Sequence, residues 1–157
     1  MGHEQDLVRL LDREAVIARK LAFARAADAG DADAMVACFA PDAVAVYDPE
    51  HAMVGRDVIR AWYAQALGPV VASSHQLTNF EVDVTSADEA VLRCYLYSWQ
   101  RFDPSTGRED RHRWARYVDT WRRGPEGWML TSLRLLAAGE TPAVPGDRLG
   151  EYRTTGY

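Results

Sequence analysis

Residues 90–137 decide the fold: AVLRCYLYSWQRF (90–102), DPSTGREDR (103–111), HRWARYVDTWRR (112–123), GPEG (124–127) and WMLTSLRLLA (128–137). Three long segments rich in aromatic and apolar residues are separated by two stretches of Asp, Pro, Ser and Gly. That pattern predicts three antiparallel strands joined by hairpins. In the first strand Leu92, Cys94, Leu96 and Phe102 share one face, and Arg93, Tyr95, Tyr97, Trp99 and Arg101 share the other. The aromatic ladder is a cavity wall, a dimer surface, or cross-strand packing. In the second strand Arg113, Ala115, Tyr117, Asp119 and Trp121 share a face, with Tyr117 and Asp119 as polar positions suited to a pocket.

Upstream, Val70 to Val84 is also extended. Before it the period changes. Leu7, Leu10, Leu11, Ile17, Leu21 and Ala24 recur at helical spacing, and Gly30 ends the helix. Asp31 caps a short second helix holding Met35, Val36 and Phe39. Ala43 to Tyr47 reads as a strand closed by Asp48-Pro49-Glu50. A third helix follows Gly55 and Asp57, with Val58, Ile59, Trp62, Tyr63 and Leu67 inside, and Gly68-Pro69 end it. Three helices followed by long hairpins predict one α+β domain over 1–137: a curved antiparallel sheet wrapped around N-terminal helices, with a central cavity. Residues 138–157 are expected to be a flexible tail or a lid.

Composition narrows the function. The 157 residues carry 18 basic and 23 acidic groups, a net charge of −5, which argues against nucleic-acid binding. No apolar run approaches a membrane span, and the charged start, MGHEQDLVRLLDRE, is no signal peptide. Two cysteines, Cys38 and Cys94, make no disulfide framework, so a reducing cytoplasm is expected. HxH, HExxH and CxxC are absent, as are GxGxxG, the Walker loop and GxSxG. Neither metal nor cofactor is expected. The only lysine, Lys20, sits mid-helix beside Arg19 and is expected to be solvated or snorkelling.

Asp28 is an oddity. Leu7, Glu14, Leu21 and Asp28 are spaced by seven, so Asp28 continues the apolar stripe, at the helix end where the dipole disfavours a carboxylate. Two readings stand: a solvated terminus with Asp31 and Asp33, or a half-buried carboxylate paired with a histidine. His75, in SSHQLTNF, shares an extended face with Ser73, Leu77 and Asn79. A carboxylate that orients its imidazole would make it a general base. His112 is a weaker candidate; His3 and His51 read as surface residues.

In order, DAGDADAM, CFAPDAVAVY, VGRDVIRAWY, SSHQLTNFEVDV, AVLRCYLYSWQRF and RYVDTWRRGPEGWML resemble the SnoaL-like family of the nuclear-transport-factor-2-like superfamily, over about residues 5–137. Within it the chain is similar to the branch holding scytalone dehydratase, bile acid 7α-dehydratase and hexachlorocyclohexane dehydrochlorinase. That resemblance implies cofactor-free elimination by an Asp–His pair, here Asp28 and His75. Tyr47 matches a cavity tyrosine of scytalone dehydratase. Phe23 stands where the bile acid enzyme has a catalytic tyrosine, and Ala27 where scytalone dehydratase has the tyrosine preceding its aspartate. Its penultimate-strand serine and asparagine fall near Ala115 and Tyr117.

The expected catalytic set is therefore His75, Asp28 and Tyr47, with Tyr117, Asn79, Trp99, Phe23, Trp62, Asp119 and His112 binding substrate. The expected activity is a dehydratase- or cyclase-type lyase or isomerase acting on a small, mostly apolar, oxygenated molecule. The alternative is a ligand carrier or a structural small subunit of a ring-hydroxylating dioxygenase-like complex. A homodimer or small homo-oligomer is expected, because an open sheet bearing Trp and Tyr would leave apolar surface wet.

Overall fold

A computed structural model of the chain describes residues 2–142 and 144–145. Helices α1 (Gly2–Asp28), α2 (Ala32–Val36) and α3 (Arg56–Leu67) pack on strands β1 (Phe39–Asp48), β2 (His51–Val54), β3 (Val70–Val84), β4 (Glu89–Phe102), β5 (Arg111–Gly124), β6 (Gly127–Thr141) and β7 (Val144–Pro145). The sheet order is β2-β1-β6-β5-β4-β3, with β7 also on β6. The β3–β6 hairpins are antiparallel, as their turn residues require. β1 lies parallel to β6, Val44 beside Ser132, so the sheet is mixed. β2 was not foreseen; its exposed residues carry little alternation. Of the tail or lid expected over 138–157, β6 takes up residues to Thr141 and β7 Val144–Pro145, and 143 and 146–157 lie outside the described residues. Among the described residues no helix is long and apolar enough to cross a membrane.

Helix α1 buries a different stripe from the one its leucines suggest. Leu7, Leu10 and Leu11 are each more than half exposed, while Asp12, Val16, Lys20, Phe23 and Ala27 are buried. The buried positions keep helical spacing, but two are charged, which hides the stripe from a hydrophobicity reading. Each charge has a partner. Asp12 accepts from Arg123 Nη2 at 2.6 Å and from the Trp128 indole at 3.3 Å. Lys20 is not solvated: its Nζ lies 2.7 Å from Asp119 Oδ2, both side chains fully buried, and 3.3 Å from the Tyr117 ring centroid. Asp28 pairs with His75 on β3. Three charged contacts at eight-residue intervals, about 12 Å apart along the axis, join α1 to the sheet. Gly30, at φ 69°, closes the helix: its N–H donates to Ala27 O, and Asp31 N–H donates to Ala26 O at 2.9 Å.

Candidate active site

The last residue of α1 meets the middle of β3. His75 Nδ1 lies 2.6 Å from Asp28 Oδ1, Ser73 Oγ donates to the same oxygen at 3.0 Å, and the His75 backbone N–H donates to Oδ2 at 3.0 Å. These donors offset the unfavourable helix end. Burial works to raise the Asp28 pKa, but the His75 and Ser73 hydrogen bonds outweigh it and leave it below its ordinary value. An ionised carboxylate accepts only, so His75 Nδ1 is the donor of this contact, and in the neutral imidazole the lone pair is on Nε2. The side chains are 31% and 13% exposed, so the pair is reachable yet largely out of water.

His75 lines a narrow inner lobe of about 60 Å³ with Phe23, Tyr47, Trp62, Tyr63, Ser98, Gln100 and Tyr117. An outer lobe of about 210 Å³ shares Tyr47, Trp62, Ala66, Arg111 and Arg113 with it and adds Arg108 and Glu140. The walls are aromatic. Trp62 stacks on Tyr47 at 4.7 Å, and Phe23 meets Tyr63 and Tyr117 edge-on. The Tyr47 and Tyr63 hydroxyls are 2.7 Å apart. Burial holds the phenols of Tyr47, Tyr63 and Tyr117 well above their ordinary value, so they remain hydrogen-bond donors. A larger hollow of about 600 Å³ is an open groove between the first turns of α1 and the β3–β4 turn, away from the Asp28–His75 pair.

The structure brings His75, Tyr47, Tyr117, Phe23 and Trp62 together around this cavity, with Asp28 bonded to His75, and leaves four expected residues out of it. Trp99 is on the outer sheet face, its indole donating to Asp110 at 3.0 Å, because β4 turns its even-numbered side chains inward. His112 is on the same outer face, its Nδ1 2.8 Å from the Tyr97 hydroxyl, so these aromatics serve cross-strand packing. Asn79 has φ 54° in a bulge between Thr78 and Glu81 and is exposed; the bulge breaks the alternation that aligned it with His75. Asp119 is buried beneath the cavity against Lys20. Tyr63, Ser98, Gln100, Arg111 and Arg113 join the cavity instead. Alternation carried the signal: Ser98 and Gln100 continue the face of Cys94 and Leu96, and Arg111 and Arg113 that of Ala115 and Tyr117. Among the described residues no three His, Cys, Asp or Glu side chains cluster as a metal site.

An open curved sheet over three helices, with an Asp–His pair at a cavity, defines the nuclear-transport-factor-2-like α+β class. The SnoaL-like domain family matches residues 8–134, and the chain belongs to that family. Similar solved structures include a protein of Novosphingobium aromaticivorans assigned as a scytalone dehydratase. It is 22% identical, with 90% of this chain and 97% of that one covered, at a TM-score of 0.81. A hexachlorocyclohexane dehydrochlorinase is 18% identical over 90% and 94%, with a TM-score of 0.77. A second Novosphingobium aromaticivorans protein, assigned as an aromatic ring hydroxylase, is 27% identical over 80% and 88%, with a TM-score of 0.72. No curated relative matches the chain.

Proposed function

We propose that this protein is a cofactor-independent lyase or isomerase of the dehydratase or cyclase type, acting on a small oxygenated substrate in the cytoplasm. The observation that carries the reading is the 2.6 Å contact between Asp28 and His75 at the cavity wall. His75 Nε2 takes a proton from a carbon beside a carbonyl. The C–H pair becomes an enolate, and a tyrosine phenol hydrogen-bonds the developing oxyanion. In elimination that pair then forms a carbon–carbon double bond, and the leaving hydroxide departs with its bonding electrons and takes a proton from a cavity acid. In isomerisation the proton returns at another carbon; in cyclisation the enolate carbon attacks within the same molecule. Tyr47, relayed by Tyr63, and Tyr117 are the available acids. Acid–base assistance of this kind contributes about 10²–10⁴ in rate.

A ligand carrier would have no need of a carboxylate that fixes an imidazole tautomer inside the cavity. The test is proton exchange in heavy water. A panel of small β-hydroxy ketones and aryl ketones is incubated with the protein, and deuterium at the carbon beside the carbonyl is read by NMR. Wild-type protein should catalyse exchange on at least one ketone, and His75→Ala should lose it while keeping its circular dichroism. Equal exchange by His75→Ala would overturn the mechanism.

A further inference from the structure

The charge on the cavity wall runs against the charge of the chain. With a net charge of −5 overall, the outer lobe is lined by Arg108, Arg111 and Arg113 against one carboxylate, Glu140. Glu140 is already engaged by Arg113, its cross-strand partner. Arg111 is half-buried, and its hydrogen-bond acceptor is a neutral amide oxygen: Gln100 Oε1 accepts from Nε at 3.1 Å and also from Nη2. The adjacent carboxylate in sequence, Asp110, faces outward and is held by Arg101 and Trp99. Burial, reinforced by Arg113, lowers the Arg111 pKa to about 10. The protein therefore orients a guanidinium in a cavity, beside a second one, and among the described residues no carboxylate is bonded to it. Desolvating like charges together is unfavourable until an anion enters.

Sheet register sets the distance from this charge to the base. Ser98 lies between His75 and Arg113 in one cross-strand row, and Gln100 lies between Ser73 and Arg111 in the next. Two strand spacings of about 4.8 Å put the His75 and Arg113 backbones on the order of 10 Å apart. The cavity between them is walled by the rings of Phe23, Tyr47, Trp62 and Tyr117.

We propose that Arg111, oriented by Gln100 and seconded by Arg113, is a carboxylate-binding subsite, so that the substrate is a planar, ring-bearing carboxylate whose reacting carbon sits at His75. This rests on the acid–base reading for the placement of the reacting carbon, but not for the subsite. The Gln100 amide occupies one edge of the guanidinium and leaves its remaining N–H groups for the ligand. A carboxylate on a guanidinium makes paired, charge-assisted hydrogen bonds, which a neutral amide cannot match.

The experiment compares benzoate with benzamide, its uncharged isostere, by NMR titration of the whole chain, without any turnover. Benzoate should bind at least about tenfold more tightly, the worth of exchanging a neutral for a charge-assisted contact. Arg111→Gln should abolish the preference, and Arg111→Lys should keep part of it. Gln100→Glu, which sets a carboxylate against Arg111 from within, should abolish it in a chain that keeps every arginine. His75→Ala should keep it. Failure of benzoate to bind, equal binding of the two probes, or a preference that survives both Arg111→Gln and Gln100→Glu would overturn the subsite. If the preference behaves as expected while proton exchange is absent, the subsite stands and the acid–base reading falls.

Discussion

Removing the ammonium of Lys20 leaves Asp119 fully buried with its counter-ion gone. The wild-type pair is 2.7 Å apart and neither side chain is exposed. Breaking such a pair by deleting one partner costs about 3–5 kcal/mol, because the remaining charge is stranded in a poor solvent. For a chain of this size each kcal/mol moves Tm by roughly 2–4 °C, so Lys20→Met should melt about 6–20 °C lower. Lys20→Met combined with Asp119→Leu removes both charges and should recover most of that loss. The deficit of the single variant should also depend on pH. Burial already raises the Asp119 pKa, and Lys20 opposes it. Without Lys20 the folded-state value rises further above the unfolded one. A carboxyl raised in this way favours folding below its unfolded pKa, and the benefit is lost as pH rises through the folded pKa. The gap to wild type should therefore narrow as pH falls from 8 toward about 4. Differential scanning calorimetry across that range reads both effects. A Lys20→Met chain melting within about 2 °C of wild type at pH 8 would refute the view that this pair neutralises a buried charge.

Asp28 behaves in the opposite sense. Its folded pKa is lowered, so its contribution is present above the unfolded value, near 3.9, and is lost as pH falls through the folded one. Urea melts should show Asp28→Asn less stable than wild type at pH 6 and equal to it at strongly acid pH; a constant difference would contradict this. Tyr47→Phe removes one hydroxyl of the Tyr47–Tyr63 pair and should lower kcat for a responsive ketone by about 10²-fold if Tyr47 is the acid, with the melting temperature little changed; unchanged kcat transfers that role to Tyr117. Turnover should survive dialysis against a chelator, and recovery of lost activity by one divalent metal would replace the side-chain mechanism. The chain should self-associate through the outer sheet face, where Trp114 is 46% exposed; light scattering at 17.6 kDa would contradict this.

Much of this architecture was legible because its signals are local. Gly30, Asp31, Gly68-Pro69 and the two hairpin turns bound elements by backbone preferences that neighbours do not override. The parallel pairing of β1 with β6 joins residues about ninety positions apart, and no local pattern encodes it. The buried stripe of α1 escaped a hydrophobicity reading because Asp12 and Lys20 occupy it, and each is intelligible only with its partner from β5. Asp28 and His75 stood out by position and by resemblance. Trp99 and Arg111 show the remaining gap: alternation sorts a strand into two faces but does not say which is inside. At the cavity the inward face of β4 carries Ser98 and Gln100, less apolar than the outward Tyr97 and Trp99, so there apolarity pointed the wrong way.

The eight-residue spacing of Asp12, Lys20 and Asp28 makes the length of α1 part of the site. Deleting or inserting one residue between Lys20 and Asp28 turns Asp28 about 100° around the axis and shifts it about 1.5 Å along it. Asp12 and Lys20 hold the upstream part against β5, so the helix cannot screw back to compensate. The carboxylate would swing off the imidazole although every side chain of the site was still encoded. Substitutions on the exposed face of this helix are tolerable one by one, whereas a change in its residue count would separate the pair; lineages that keep this pair would then vary in helix sequence but not in the count from Lys20 to Asp28.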